Sequence, residues 1–146
     1  MDQLRQARAT WTGNLAEGRG TVAAATSGAF PELPTSWASR TESSEGRTSP
    51  EELLAAAHAA CFSMAFSNEL SKAGHIPDRV EVTATITFRK LDRWTVVGSN
   101  LEAHGWVPGI SEGQFREIAE AAKAGCPISR ALNPSIELTV DPILEH

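Results

Sequence analysis

Thiols are scarce in this chain: among 146 residues, only Cys61 and Cys126 are cysteines. There is no Cys-x-x-Cys pair, because Cys126-Pro127-Ile128 leads to Ser129, and this excludes an ordinary vicinal dithiol. Two cysteines and the scattered His58, His75 and His104 lack the spacing of a structural zinc site, so no metal is expected. Basic residues are also in the minority, 13 against 18 acidic ones, for a formal charge of −5. Nucleic-acid binding needs a basic surface and is not expected. No apolar run approaches the length of a membrane span, and Met1-Asp2-Gln3-Leu4-Arg5 begins no signal-peptide core. These absences predict a cytoplasmic protein without a membrane partner. In that compartment a cysteine pair is more often catalytic or redox-sensing than a permanent disulfide.

No repeat or low-complexity linker divides the sequence. With 41% hydrophobic and 21% charged residues, the composition is that of one soluble domain with a core of its own. That domain is predicted to cover residues 1–143. Leu144-Glu145-His146 resembles the start of an expression-tag scar and is set apart. Short strands are predicted at 8–12, stopped by Gly13, and at 20–25 after a Gly-Arg-Gly turn signal. Residues 34–40 read as an extended piece and 42–47 as a polar loop. Ser49-Pro50-Glu51-Glu52 is a helix start: a hydroxyl cap, proline at the first helical position and acidic residues at the positive end. The helix should run to about Lys72, ended by Gly74. Its alanine-rich middle predicts a central, buried position. Val80, Val82, Ala84, Ile86 and Phe88 alternate with polar residues, as in a half-buried strand. Residues 95–107 should be its antiparallel partner, turning near Lys90-Leu91-Asp92-Arg93. A helix from Ser111 to Gly125, a short helix from Cys126-Pro127 and a closing strand at 136–140 complete an α+β order, not a parallel βαβ sheet.

The two thiols are not equivalent in this scheme. Cys61 lies eleven residues beyond Pro50, too far for the helix dipole to act on it. Taken alone it reads as a small buried hydrophobe, and a reactive Cys61 needs a cation from elsewhere. Cys126 precedes a proline at a helix start, where unpaired backbone N–H groups favour a thiolate. His58, three residues before Cys61, reads first as a hydrogen-bonded core histidine and second as a base for that thiol.

The run from Ser49 to Met64, with His58-Ala59-Ala60-Cys61-Phe62-Ser63-Met64 at its end, resembles the helix signature of the OsmC/Ohr family. These are the osmotically inducible protein C and organic hydroperoxide resistance proteins. Ala122-Lys123-Ala124-Gly125-Cys126-Pro127-Ile128-Ser129 resembles that family's second-cysteine segment. The likeness extends to Trp11-x-Gly13 and Gly18-Arg19-Gly20-Thr21, and His58 places it nearer the OsmC branch. It implies an OsmC/Ohr-like fold: N-terminal antiparallel strands, a long buried central helix, a second antiparallel segment with two further helices, and an intertwined homodimer. It also implies a peroxidase without cofactor that reduces organic hydroperoxides, Cys61 being the peroxidatic thiol and Cys126 the resolving one. A lipoyl-type dithiol would be the reductant, and Arg40 and Glu51 would complete the site. Arg47 remains a competitor for the cationic role. Glu51 and Cys61 are ten residues apart on one helix, about 15 Å along its axis and on different faces. Glu51 would therefore serve Cys61 only from a second subunit. The alternative is a redox-responsive binding or sensor protein without turnover, its ligand held by Phe62, Met64 and Phe66 beside Cys61.

Overall fold

Alternating short segments and a single long helix organise the computed structural model, which describes residues 1–146. The element order is β1 (Ala7–Thr12), β2 (Arg19–Ala24), β3 (Leu33–Thr35), α1 (Ala38–Thr41), α2 (Pro50–Lys72), β4 (Arg79–Lys90), β5 (Trp94–Trp106), α3 (Glu112–Gly125), α4 (Pro127–Leu132) and β6 (Glu137–Glu145). This is an α+β chain. Two compact units are distinguishable within it, residues 1–53 and 54–146, the boundary falling inside α2.

In the first unit β1, β2 and β3 form an antiparallel sheet in that order. Trp11 stands opposite Gly20, and a Cβ there would come within 2.6 Å of the indole ring. Glycine is thus required at position 20 by the ring lying across the backbone. All six residues of β1 are exposed, so this sheet has an uncovered apolar side within its own unit. An apolar cavity of about 380 Å³ lies there, bordered by Trp11, Leu15, Val22, Trp37, Pro50 and Leu53.

Residues 38–41 depart from the predicted extended piece and form one helical turn. The cause is a local serine pair. Ser36 Oγ accepts from the Ser39 N–H at 3.0 Å, and the Ser36 N–H donates to Ser39 Oγ at 3.2 Å. Ser39 Oγ also donates to the Thr48 carbonyl at 2.9 Å, tying the turn to the start of α2.

The predicted bounds of α2 hold, for the expected reasons. Ser49 Oγ accepts from the Glu52 N–H at 3.1 Å, and Pro50 is the first helical residue. At the far end Gly74 has φ +86°, and the His75 N–H reaches back to the Leu70 carbonyl at 2.9 Å. The helix is less enclosed than predicted. His58, Phe62, Phe66 and Leu70 form a fully buried stripe, whereas Met64 on another side is 68% exposed. The alanine-rich composition made every face apolar, but this chain covers only one of them.

In the second unit β4 and β5 pair antiparallel through a turn at Leu91-Asp92-Arg93, with Phe88 stacked on Trp94 at its mouth. The predicted alternation along β4 is realised, with Val80, Val82 and Ala84 packed against the core. The closing strand is longer than predicted and joins β5 in parallel, so this sheet is mixed rather than antiparallel throughout. A parallel neighbour needs a crossover, and α3 and α4 supply it. Phe62, Phe66, Leu70, Leu101, Ala103, Phe115 and Ala119 form the centre of the core. Leu144 packs against that core and Glu145 ends β6, so two of the three residues set apart as a tag-like end belong to the sheet here. No helix is long and apolar enough to cross a membrane.

His104, on β5, has its Nδ1 2.6 Å from Glu145 and its Nε2 3.0 Å from Glu102. The Glu145 bond, followed by that to Glu102, raises its pKa above the ordinary 6.5. A folded-state value above the unfolded one gives stability that is fully present below pH 6.5 and lost as pH rises through the folded value. His104→Gln should therefore flatten the fall in denaturation midpoint as pH rises above 6.5. Nuclear magnetic resonance titration of His104 in the parent should give a midpoint above that of an unstructured histidine, and a midpoint at or below it would refute the assignment.

Candidate active site

The helix α2 carries Cys61 one turn beyond His58, and the α3–α4 junction carries Cys126. Their separation in sequence is 65 residues, yet the two sulfurs lie 3.1 Å apart and both are free thiols. Cys61 is half-buried and Cys126 fully buried. A disulfide needs about 2.05 Å, so roughly 1 Å of closure would link the pair. A cavity of about 490 Å³ opens on Cys61, bordered by Met64, Ala65, Asn68, Lys72 and Pro127.

Electrostatics distinguish the two thiols. Burial raises the Cys61 pKa, the Ile128 backbone N–H acts against this, and the neighbouring Cys126 raises it further. Burial also works against ionisation of Cys126, but there it is overcome by the Ser129 backbone N–H, the Cys61 thiol, the Ser129 hydroxyl and the Ile128 N–H. The net result is a raised Cys61 and a lowered Cys126. The start of α4 supplies the difference, since its first backbone N–H groups have no partners within the helix.

Arg40 and Glu51 lie in the first unit and bind each other. The Arg40 Nε is 3.0 and 3.2 Å from the two Glu51 oxygens, and Nη2 is 2.6 Å from Oε1. The guanidinium also lies 5.4 Å from the centre of the Trp37 ring. Glu51 is 8% exposed, so the fork of hydrogen bonds satisfies a carboxylate that has lost most of its water. Of the two arginines considered from sequence, Arg40 is the one joined to Glu51. Arg47 borders a different groove, beside Thr12, Arg19 and Thr35.

His58 is a hydrogen-bonded core histidine. Its Nδ1 lies 2.6 Å from Ser99 Oγ and its Nε2 2.8 Å from Ser129 Oγ, all three residues being buried. Burial lowers its pKa, so the ring is neutral. Sequence reasoning gave no role to either serine. Ser129 had a signal, as the fourth residue of Cys-Pro-Ile-Ser. Ser99 had none, because only the register of β5 against its neighbours brings it under His58.

Comparison with known proteins identifies the family of the chain. The model of the family described as OsmC-like protein matches residues 42–141. The chain is 40% identical over 135 residues to the peroxiredoxin OsmC of Escherichia coli (strain K12), covering 92% of this chain and 93% of that one. It is 30% identical over 104 residues to the organic hydroperoxide resistance protein OhrA of Bacillus subtilis (strain 168), 70% of this chain and 72% of the relative. The crystal structure of an organic hydroperoxide resistance protein OsmC from Legionella pneumophila superposes with a TM-score of 0.74 at 22% identity, over 97% of this chain and 99% of that one. With a family match across most of its length and the same fold, the chain belongs to the OsmC family.

Proposed function

We propose that this protein is a thiol peroxidase that reduces organic hydroperoxides to alcohols without a cofactor. The observation that carries this reading is the approach of two reduced sulfurs to 3.1 Å from separate elements. The names of its relatives, a peroxiredoxin and an organic hydroperoxide resistance protein, support the same chemistry. In the first step the Cys61 thiolate attacks the outer peroxide oxygen. The O–O bond breaks, an S–O bond forms, and the leaving alkoxide takes a proton to become the alcohol. Cys61 is left as a sulfenic acid. In the second step the Cys126 sulfur attacks Cys61, the S–S bond forms, and the sulfenic oxygen leaves as water. An external dithiol, of lipoyl type, then reopens the disulfide by exchange.

The raised pKa of Cys61 means that its own chain disfavours the thiolate needed in the first step. A cation must offset this, and Arg40, held by Glu51 in a bidentate pair, is suited to do so. We assign the pair to the Cys61 of a second copy, in a homodimer. The uncovered β1 and the apolar cavity behind it favour such a partner, since an exposed sheet of this kind seeks cover.

Thiol counting tests the reading. Reduced protein mixed with tert-butyl hydroperoxide should lose both thiols of each chain and form one disulfide, and retention of both would overturn the mechanism. With a dithiol present the protein should turn over many equivalents of peroxide. One stoichiometric burst followed by silence would favour the binding or sensor function. Arg40→Ala should slow sulfenic acid formation roughly tenfold, the equivalent of one pKa unit at the thiol, while Arg47→Ala should not. A slow Arg47→Ala with a normal Arg40→Ala would transfer the role.

A further inference from the structure

Methionine is as scarce here as cysteine: the chain has two, Met1 and Met64. A methionine in the middle of a helix is usually core, because its unbranched thioether fills gaps between buried side chains. Met64 is not placed that way. It is 68% exposed, while Phe62 and Phe66 on either side of it are fully buried. It stands three residues beyond Cys61, about one turn along α2 on an adjoining line of the helix surface. There it borders the cavity of about 490 Å³ that opens on that thiol. Ala65, Ala121, Ala122 and Pro127 continue the border with small apolar groups, and Cys61 and Met64 are the two sulfur-bearing residues on it.

We propose that Met64 is a second oxidation site of this cavity, taking oxygen from an organic hydroperoxide once Cys61 is locked in its disulfide. The proposal rests on the peroxidase reading for the arrival of the substrate. While an external dithiol keeps reopening the disulfide, the Cys61 thiolate is the stronger nucleophile and takes each peroxide. When the dithiol is exhausted, the next hydroperoxide in the cavity meets the Met64 thioether alone. The thioether sulfur then attacks the outer peroxide oxygen. The O–O bond breaks, an S–O bond forms, and the leaving alkoxide keeps the proton of the hydroperoxide to become the alcohol. Methionine is oxidised to its sulfoxide, the peroxide is reduced, and no other reagent is consumed. The sulfoxide puts a polar oxygen on an apolar wall, so the modified cavity holds apolar hydroperoxides less well.

The order in which the two methionines are oxidised tests this. Full-length protein is closed to the Cys61–Cys126 disulfide with diamide, without peroxide. It is then exposed to cumene hydroperoxide, or in a parallel sample to hydrogen peroxide, and the peptides carrying Met1 and Met64 are followed by mass. Exposure alone puts the fully exposed Met1 first. With cumene hydroperoxide Met64 should be oxidised about fivefold faster than Met1, because the cavity holds the organic group beside the thioether. With hydrogen peroxide, which has no organic group to hold, Met1 should lead. Met1 leading with both reagents, or a Met64 to Met1 ratio no higher for cumene hydroperoxide than for hydrogen peroxide, would overturn the proposal. Treated protein is then reduced with dithiothreitol, which reopens the disulfide and leaves the sulfoxide intact. Its KM for cumene hydroperoxide should be raised about fivefold with kcat little changed, the scale of one polar group set on an apolar wall. Met64→Leu, which keeps Met1, should show the same KM before and after treatment. An unchanged KM in the treated parent, or an equal rise in Met64→Leu, would also overturn the proposal. Because the disulfide is made without peroxide, failure of the peroxidase reading would appear in the thiol-counting experiment and not in the order of the two methionines.

Discussion

Cys61→Ser should abolish hydroperoxide reduction, lowering the rate constant for peroxide consumption by at least about a thousandfold. The reason lies in the electrons. In the proposed mechanism the sulfur supplies the pair that attacks the peroxide oxygen and afterwards carries that oxygen. A serine hydroxyl is neither ionised at neutral pH nor able to be oxidised in this way. Cys126 should not substitute for it, even though its thiol has the lower pKa, because its sulfur is fully buried. Stopped-flow measurement of peroxide loss under single-turnover conditions checks the prediction, and a residual rate near that of the parent would remove Cys61 from the mechanism. Cys126→Ser completes the test in the opposite sense. It should consume one equivalent of peroxide, leave Cys61 one oxygen heavier by mass, and then drift to the sulfinic acid in excess peroxide because no second thiol intercepts the intermediate.

The second large effect should come from the core. Phe66 is fully buried on α2, its ring 5.4 Å from that of Phe62 and 5.1 Å from that of Phe115. Phe66→Ala would delete both ring contacts and leave a cavity between α2 and α3, costing about 3–5 kcal/mol. Against a total of about 5–15 kcal/mol for a protein of this size, that loss consumes a large share of the stability. Urea denaturation should show a sharply lower midpoint with an unchanged slope. Phe66→Leu, which retains most of the apolar volume, should lose only about 1–2 kcal/mol. If Phe66→Ala fell by less than Phe66→Leu, the site would be collapsing around the deletion and the description of a rigid core would be wrong. Because Phe62 follows Cys61 directly and His58 continues the same buried stripe, loosening this packing should also slow the closure between the two thiols.

Local chemistry was fully legible in the sequence where the signal was itself local. Ser49, Pro50 and Gly74 set the bounds of α2 because capping and termination act within one turn. The alternation of β4 declared its buried face because side chains on a strand change sides at every residue. The unequal prospects of the two thiols followed from their distance to a helix start. The one-turn helix α1 was also written locally, in Ser36 and Ser39, but two serines in a polar stretch do not stand out from their surroundings. The pairing of β6 was of another kind. Its apolar pattern fits either direction of neighbour, and only the crossover through α3 and α4 decides that it runs parallel to β5.

From the sequence alone came two scarce, unlike thiols and a family signature around each. The tertiary structure alone decided that their sulfurs approach to 3.1 Å, and that Ser99 and Ser129 converge on His58 from 41 and 71 residues away. Such meetings depend on strand register and on where the helices close over the sheet. These are set by packing summed over the whole core, and no short stretch of sequence records them.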